Sequence, residues 1–354
     1  MAQLLDLFDQ IQVTEFVRTN YEQITRAAGG GEDRTTQLGP RILPMVPHQG
    51  RYVRIRYQDT LGVGMASFKS PGAAPALWTH KPNLRESFFS MVDIDEAHVV
   101  DPVEMLAIKS NDPNRRQEAQ FDLAEKATAM ATRNDQRTMW MRWQALQGVL
   151  VVPYPNAGSI TINYGIPAGH FPTFAVPWTN LASSDPIEDL WALGAVAIPD
   201  AGIYLGHHHM SFATQRNMYR SQSLLNKLSS YGRDVMFPKE SDVMELLRDG
   251  SRITATDDGW FAENTASFTL NKWIADGKIF TTTDDYRYNG RPLGEVKDGW
   301  VLVGSAGADQ PTARQGMQSE WIYDRVRQHT LFRNGSARMV VLYAPQAIAW
   351  GTAY

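Results

Sequence analysis

The spacing of apolar and polar positions changes several times along this chain, and the changes mark its parts. Through Arg51–Tyr57, Val53, Ile55 and Tyr57 alternate with Arg54 and Arg56, the period-two pattern of a half-exposed strand. Small, flexible sequence runs from Gly62 to Leu77, and Lys81–Val92 reads as a return strand. Together they predict a long, two-stranded projecting loop, which needs support because a lone ribbon is marginal in water. The pattern then turns helical. The 35 residues from Pro113 to Gln147 contain no glycine, and no proline after the first position. Asp112 supplies an N-cap, Pro113 the first helical position and Gly148 the stop. At about 1.5 Å per residue the helix is roughly 52 Å long, against a usual helix of about three turns. A compact ball has no place for such an element.

Its apolar stripe is thin: Phe121, Ala124, Ala127 and Ala131, then Met139, Trp143 and Leu146. Arg115, Arg116, Glu118, Asp122, Glu125, Lys126, Arg133 and Arg137 make the rest polar, with Asp122 and Lys126 at a supporting i,i+4 spacing. The large a and d residues of a coiled coil are missing. The helix must therefore pack on one sheet and share its remaining surface with neighbours. Asn134-Asp135 is the point where it would break.

Residues 1–47 read as an arm. Leu4, Leu5, Leu7, Phe8, Ile11, Val13, Phe16 and Val17 are apolar, but Gly29-Gly30-Gly31 and then Pro40, Pro44 and Pro47 prevent long regular elements. After the long helix, Val149–Tyr154 and Ser159–Tyr164 flank Asn156-Ala157-Gly158 as a hairpin, with Ile160, Ile162 and Tyr164 on one face. Pro167, Pro172 and Pro177 mark a boundary.

A second unit opens at Asp185-Pro186-Ile187-Glu188, a capping-box-like helix start, and that helix should reach about Ala197. A short strand at Gly202–Leu205, a helix over Phe212–Leu228 and another over Asp242–Arg248 follow. Strand-like pieces lie at Arg252–Thr256, Lys278–Thr282 and Trp300–Gly304. Turn signals sit at Asp258-Gly259, Asn289-Gly290 and Asp298-Gly299. Arg338–Tyr343 reads as a buried strand returning to an earlier sheet.

Composition narrows the chemistry. With 354 residues the chain makes one large or two to three modest domains, and 43% hydrophobic with 20% charged residues is ordinary for an ordered protein. It holds no apolar run of membrane-spanning length, and its first residues lack the basic start and continuous apolar core of a secretory signal. No cysteine is present, which excludes disulfides, thiol catalysis and cysteine metal sites. A net charge of −4 argues against a dedicated nucleic-acid binder, whose affinity rests on excess Lys and Arg.

Candidate catalytic groups do not assemble into a motif. His207-His208-His209 would point to alternating sides of an extended segment, whereas catalytic zinc sites use spacings such as His-x-x-x-His on a helix. A strand-to-helix turn with polar side chains accounts for them, and no metal or cofactor is expected. Asp257-Asp258, Asp284-Asp285 and Asp93-Ile94-Asp95-Glu96 pair carboxylates in sequence, but a glycosidase needs them paired across a cleft. Gly62-Val63-Gly64 lacks the third glycine of a dinucleotide fingerprint. Gly304-Ser305-Ala306-Gly307 is one residue short of a nucleophile elbow. The expectation is that the chain is not an enzyme.

The order of parts is itself the motif. Lys81-Pro-Asn-Leu-Arg-Glu-Ser-Phe88 precedes Asp112-Pro-Asn-Arg-Arg116, Gln144-Ala-Leu-Gln-Gly148 meets the hairpin, Ser184–Leu190 opens the second unit, Ser223–Leu228 closes a helix, and Arg338–Trp350 ends the chain. In this order the chain resembles the major capsid proteins of tailed bacteriophages with the Hong Kong 97 fold, in the branch containing the phage lambda major capsid protein (capsid protein E). The resemblance implies an α+β fold with an N-terminal arm over residues 1–47 and an extended loop over 48–98 that lies on an adjacent subunit. It implies a peripheral domain over 99–173 with the spine helix 113–147, an axial domain over 174–330, and C-terminal strands over 331–354 returning to the peripheral domain.

The implied function is structural: self-assembly into pentamers and hexamers of an icosahedral shell that encloses double-stranded DNA. Implied partners are other copies, a scaffold protein, a portal, a decoration protein and nearby DNA, with no membrane. The implied location is the virion, assembled in the host cytoplasm. No long helical extension precedes the arm, so a separate scaffold is expected. Some members of the fold cross-link a loop lysine to a neighbour's asparagine; Lys69 sits at the predicted tip, but the lambda branch relies on decoration proteins instead. The competing readings are a hydrolase whose carboxylates meet only in three dimensions, and a phage tail component.

Overall fold

The computed structural model describes residues 37–58, 84–108, 110–154, 158–231, 238–247, 250–261, 270–303, 312–324 and 329–354. The arm's residues 1–36, the loop tip with Gly62-Val63-Gly64 and Lys69, and Gly304–Gly307 lie outside them.

A short helix α1 (Leu38–Ile42) and strand β1 (Met45–Pro47) precede a ribbon of β2 (Tyr52–Gln58) and β3 (Leu84–Ser90). The ribbon is antiparallel, with Tyr52 opposite Ser90 and Gln58 opposite Leu84. Next come β4 (Val92–Val100), α2 (Pro102–Ile108), the long helix α3 (Pro113–Leu146) and the hairpin β5 (Val149–Tyr154) with β6 (Gly158–Asn163). Helices α4 (Pro186–Ala195) and α5 (Ile198–Ala201) lead to β7 (His207–Met210), α6 (Phe212–Tyr219), α7 (Gln222–Ser230) and α8 (Glu240–Met244). The expected helix over Phe212–Leu228 is thus two. The remainder is strands: β8 (Arg252–Ala255), β9 (Gly259–Phe261), β10 (Leu270–Lys272), β11 (Lys278–Thr282), β12 (Arg287–Tyr288) and β13 (Arg291–Pro292). They continue through β14 (Gly294–Asp298), β15 (Trp300–Val303), β16 (Thr312–Gln315), β17 (Gln318–Asp324), β18 (His329–Leu342) and β19 (Ile348–Thr352).

Two sheets organise these elements. In the first, the 14-residue β18 pairs with β4 and β17 along its first part and with β14 at its end, and β1 joins β14. The second runs β19-β11-β7-β8. Its middle layer faces two cores at once. On β11, Phe280 enters one apolar cluster and Ile279 the other; on β19, Ile348 and Trp350 face the first while Ala349 faces the second. The last strand therefore lies in the second sheet yet seals the first core from behind. Strands β14 and β17, although they fall before residue 331, belong to the sheet of β18.

Helix α3 starts as its sequence dictates. The Asp112 carboxylate accepts from the Asn114 amide at 3.0 Å and Pro113 takes the first position, while Gly148 adopts φ +95° just past the end, a conformation costly to a residue with a Cβ. Among the described residues its first turns stay exposed. Phe121, expected in the buried stripe, is 71% exposed, and burial begins at Ala124. From there Ala127 and Met130 meet Val100 and Phe332 in a small core of their own. At its other end Trp143 packs edge-on against Trp350 and Phe280 and parallel to Trp273, ring centres 5.8–6.4 Å apart.

Candidate functional site

The three histidines occupy the centre of a sheet. Strand β7 pairs with β11 on one side and β8 on the other, and all of His207–Met210 is buried. This corrects the expectation of a polar turn, with the strand at Gly202–Leu205: the strand is the histidine segment itself, because its neighbours supply partners on both sides. His208 Nδ1 lies 3.0 Å from Thr281 Oγ1, and His207 Nε2 lies 3.0 Å from Thr254 Oγ1. His207 and His209 share one face, ring centres 4.0 Å apart, beside Tyr286. Burial, aided by Arg252 and Arg41, lowers His207 to about 4. Burial and then His207 lower His208 to about 3, and burial holds His209 well below its ordinary value. The rings are neutral packing groups. Among the described residues no three His, Asp or Glu side chains come together as a metal site would require.

The paired carboxylates serve as joints between elements. Asp93 pairs with Arg51 at the ribbon's base, Asp95 with Arg333 of β18 at 2.6 Å, and Glu96 with Arg133 of the long helix at 3.0 Å. Asp257 accepts from the Phe212 amide at 3.1 Å and pairs with Lys272 at 3.1 Å. Asp284 sits apart from these, its pKa raised by burial against the pull of Arg252. An open depression of about 450 Å³ between α7 and the turn that precedes α4 is polar and bridged by Lys227 to Asp185 at 2.9 Å.

The most constrained polar chemistry lies where α3 crosses β18. Thr128, Asn134, Thr138 and Arg142 on the helix, and Asn334, Ser336 and Arg338 on the strand, are all buried. Arg338 Nη1 donates to Thr138 Oγ1 at 2.6 Å, Asp135 Oδ1 at 2.9 Å and Asn134 Oδ1 at 3.2 Å. Ser336 donates to Asn134 Oδ1 at 2.7 Å. On the other side Asp298 approaches Arg338 Nε at 3.5 Å, its pKa raised by burial and restrained by that arginine. Arg142 Nε donates to the Leu43 carbonyl at 3.0 Å, tying α1 to the same helix. The sequence carries one trace of this seam, the helix-averse Asn134-Asp135 pair. The structure keeps the helix unbroken there because the strand supplies the bonds those side chains would otherwise take from their own backbone.

Outside this frame the chain leaves apolar side chains in water. Val99, Val103, Leu106 and Phe121 are 53–71% exposed around the start of α3. Val149, Val151 and Ile160 are exposed on the hairpin, so Ile160 does not share the burial of Ile162 and Tyr164. Trp191, Ile198, Phe212 and Tyr231 are exposed on the second unit. Scattered exposure is normal, but three groups on separate elements, with a ribbon and a half-bare helix, fit a protein that meets several neighbours. No described helix is long and apolar enough to cross a membrane.

Residues 22–197, which include the ribbon, the long helix and the hairpin, match the family described as phage major capsid protein E. No curated protein sequence matches the chain. Among solved structures, it resembles a candidate capsid protein from a prophage of E. coli CFT073, with TM-score 0.50, 12% identity, and 90% of this chain and 93% of that one covered. A phage-related protein from Bordetella bronchiseptica RB50 aligns with TM-score 0.47 and 10% identity over 95% and 96% of the two chains. The capsid of Myoviridae phage XM1 aligns with TM-score 0.45 and 10% identity over 90% and 92%.

Proposed function

The chain belongs to the phage major capsid protein E family, and we propose how its parts divide the work of building a shell. Its fold is the α+β capsid fold of the Hong Kong 97 type, and its role is that of the structural protein of a virion head, made by self-assembly of many copies. The observation that carries this is the family match across residues 22–197.

In this reading the long helix, the sheet of β1, β4, β14, β17 and β18, and the hairpin form the peripheral domain. The pairing of β14 and β17 with β18 supports placing them there. Helices α4–α8 and the sheet of β7, β8, β11 and β19 form the axial domain, which meets its counterparts around the five- and six-fold centres of pentamers and hexamers. Residues 1–47 are an arm and the ribbon is the extended loop lying on an adjacent subunit, which supplies the support that an isolated ribbon lacks. Each copy thus grips several neighbours, and many modest contacts add into a stable shell.

Assembly takes place in the host cytoplasm, around a separate scaffold and a portal, with decoration proteins reinforcing the finished shell rather than a Lys69 cross-link. The net charge of −4 suits a wall that must not hold the packaged DNA. The chain performs no catalysis; its conspicuous carboxylates join structural elements, which supports that reading. Electron microscopy of the expressed chain tests it. Icosahedral shells, or pentameric and hexameric capsomers, are expected, whereas a monomer that stays dispersed at high concentration would overturn it.

A further inference from the structure

This inference rests on the shell reading above and concerns the outer face of α3. Contacts around a capsomer are head-to-tail, so the two touching surfaces differ. Closing a shell between capsomers also uses two-fold relations, and a surface lying on a two-fold must complement itself. Such a surface is recognisable on a single chain.

The outward face of the long helix has this property. Glu118, Asp122, Glu125, Ala129, Arg133 and Arg137 are all exposed along it and recur at three- and four-residue steps, which keeps them on one side of the helix. Of these six, the acidic residues precede Ala129 and the basic ones follow it; the two basic side chains before Ala129 on this side are Arg115, near the helix start, and Lys126, which is held by Glu104 of its own chain. Laid antiparallel on a copy of itself with Ala129 at the crossing, each acidic half falls on a basic half. Glu125 and Arg133 stand four residues either side of Ala129, so each Glu125 meets the second copy's Arg133, and Asp122 meets Arg137 one turn further out. Every such pair occurs twice by symmetry. Ala129 is small, which suits a close crossing of two helices at the usual 8–10 Å axis separation. Laid parallel, the same face would set like charges together. Arg133 already reaches Glu96 within its own chain, but a guanidinium has five N–H donors and can take a second carboxylate.

We propose that the α3 faces of two copies pack antiparallel across a two-fold of the shell, with Ala129 at the crossing and Glu125–Arg133 pairs on each side.

The chain has no cysteine, so single thiols make clean reporters. Ala129→Cys and Glu118→Cys are each assembled and treated with a bis-maleimide spanning about 10 Å, matched to the axis separation. The two copies of residue 118 would stand roughly 33 Å apart at the helical rise. In shells, Ala129→Cys is expected to give at least ten-fold more covalent dimer than Glu118→Cys, and dissociated chains of either variant should give none. Shells that form normally but show no excess of dimer for Ala129→Cys would overturn the inference while leaving the capsid reading intact. Absence of shells or capsomers from the unaltered chain would remove the capsid reading itself. Charge reversal gives a second test. Glu125→Arg and Arg133→Glu each reduce shell yield at least ten-fold, and the double variant restores it, with melting curves verifying that each variant folds. If Glu125→Arg alone blocks assembly and the double variant does not restore it, a neighbour's basic ribbon with its Arg54 covers this face instead, and the two-fold pairing is wrong.

Discussion

Arg338 of β18 and Asp135 of the long helix meet at 2.9 Å across a seam where the arginine side chain is 4% exposed. Asp298 stands on the other side of the same guanidinium at 3.5 Å. Arg338→Met fills similar space but leaves two partly buried carboxylates facing each other without a cation. Losing one partner of a buried ion pair costs about 3–5 kcal/mol, so the urea midpoint, read from the fluorescence of Trp143 and its neighbours, should fall sharply. Arg338→Lys keeps the charge but not the fork that reaches Asn134, Asp135 and Thr138 together, and should lose less. Equal midpoints for the Met variant and the unaltered chain would show that the seam is held by its apolar ends alone.

Acid should weaken the second sheet through its histidines. An imidazole of ordinary pKa about 6.5 in the unfolded chain is held at about 4 at His207 and about 3 at His208 in the fold. Below pH 6.5 the unfolded chain binds protons that the folded chain refuses, so stability is complete above that pH and falls as the pH drops toward 4 and then 3. Each histidine adds a slope of at most about 1.4 kcal/mol per pH unit. His208→Asn retains an amide that can bond Thr281 without titrating. Its melting temperature should decline less between pH 6.5 and 4 than that of the unaltered chain; parallel curves would exclude this histidine as a source of acid lability.

These histidines show where sequence was legible and where it was not. Asp112, Pro113 and Gly148 delimited the long helix because capping is local chemistry. Asn289-Gly290 announced the β12–β13 turn for the same reason, and both residues carry the positive φ that such a turn demands, 52° and 76°. The burial of His207–His209 depended instead on β8 and β11, strands about 45 and 70 residues away in sequence that no local pattern brings alongside. Phe121 failed for a geometric reason: helical spacing says which side a residue is on, not how far the supporting sheet extends beneath it. The Arg338 seam was hidden because three of its partners lie about 200 residues away. Only the misplaced Asn134-Asp135 pair hinted that the helix had polar business on its inner side.

Trp350 closes the other end of the long helix. Its Nε1 donates to the Leu146 carbonyl at 2.8 Å, satisfying one of the last helical acceptors from a strand about 200 residues later in the chain. Trp350→Phe keeps an aromatic ring near Trp143 and Phe280 but removes the donor. An unsatisfied buried carbonyl costs about 1–3 kcal/mol, so a fall in melting temperature of several degrees is expected, without loss of the folded circular-dichroism spectrum. An unchanged melting temperature would mean that water reaches Leu146.

The first turns of the long helix should open independently of the core. Burial begins only at Ala124 and Pro113 to Glu118 are all exposed, so these first residues rest mainly on their cap and their own backbone bonds. Regions with few buried contacts exchange through local opening rather than global unfolding. Asp112→Ala removes the carboxylate that accepts from Asn114, a change that in exposed caps weakens the first turn about five-fold. Amide exchange at residues 114–117 should quicken by about that factor, while amides near Trp143 and the urea midpoint stay where they were. A matching drop in global stability would show the outer turns to be part of the cooperative core. If they are separate, a helix end that is loosely held in the free chain and fixed only by neighbours makes assembly the step at which the spine becomes rigid. Exchange at 114–117 in intact shells should then slow well below its rate in dissociated chains, for Asp112→Ala as for the unaltered protein.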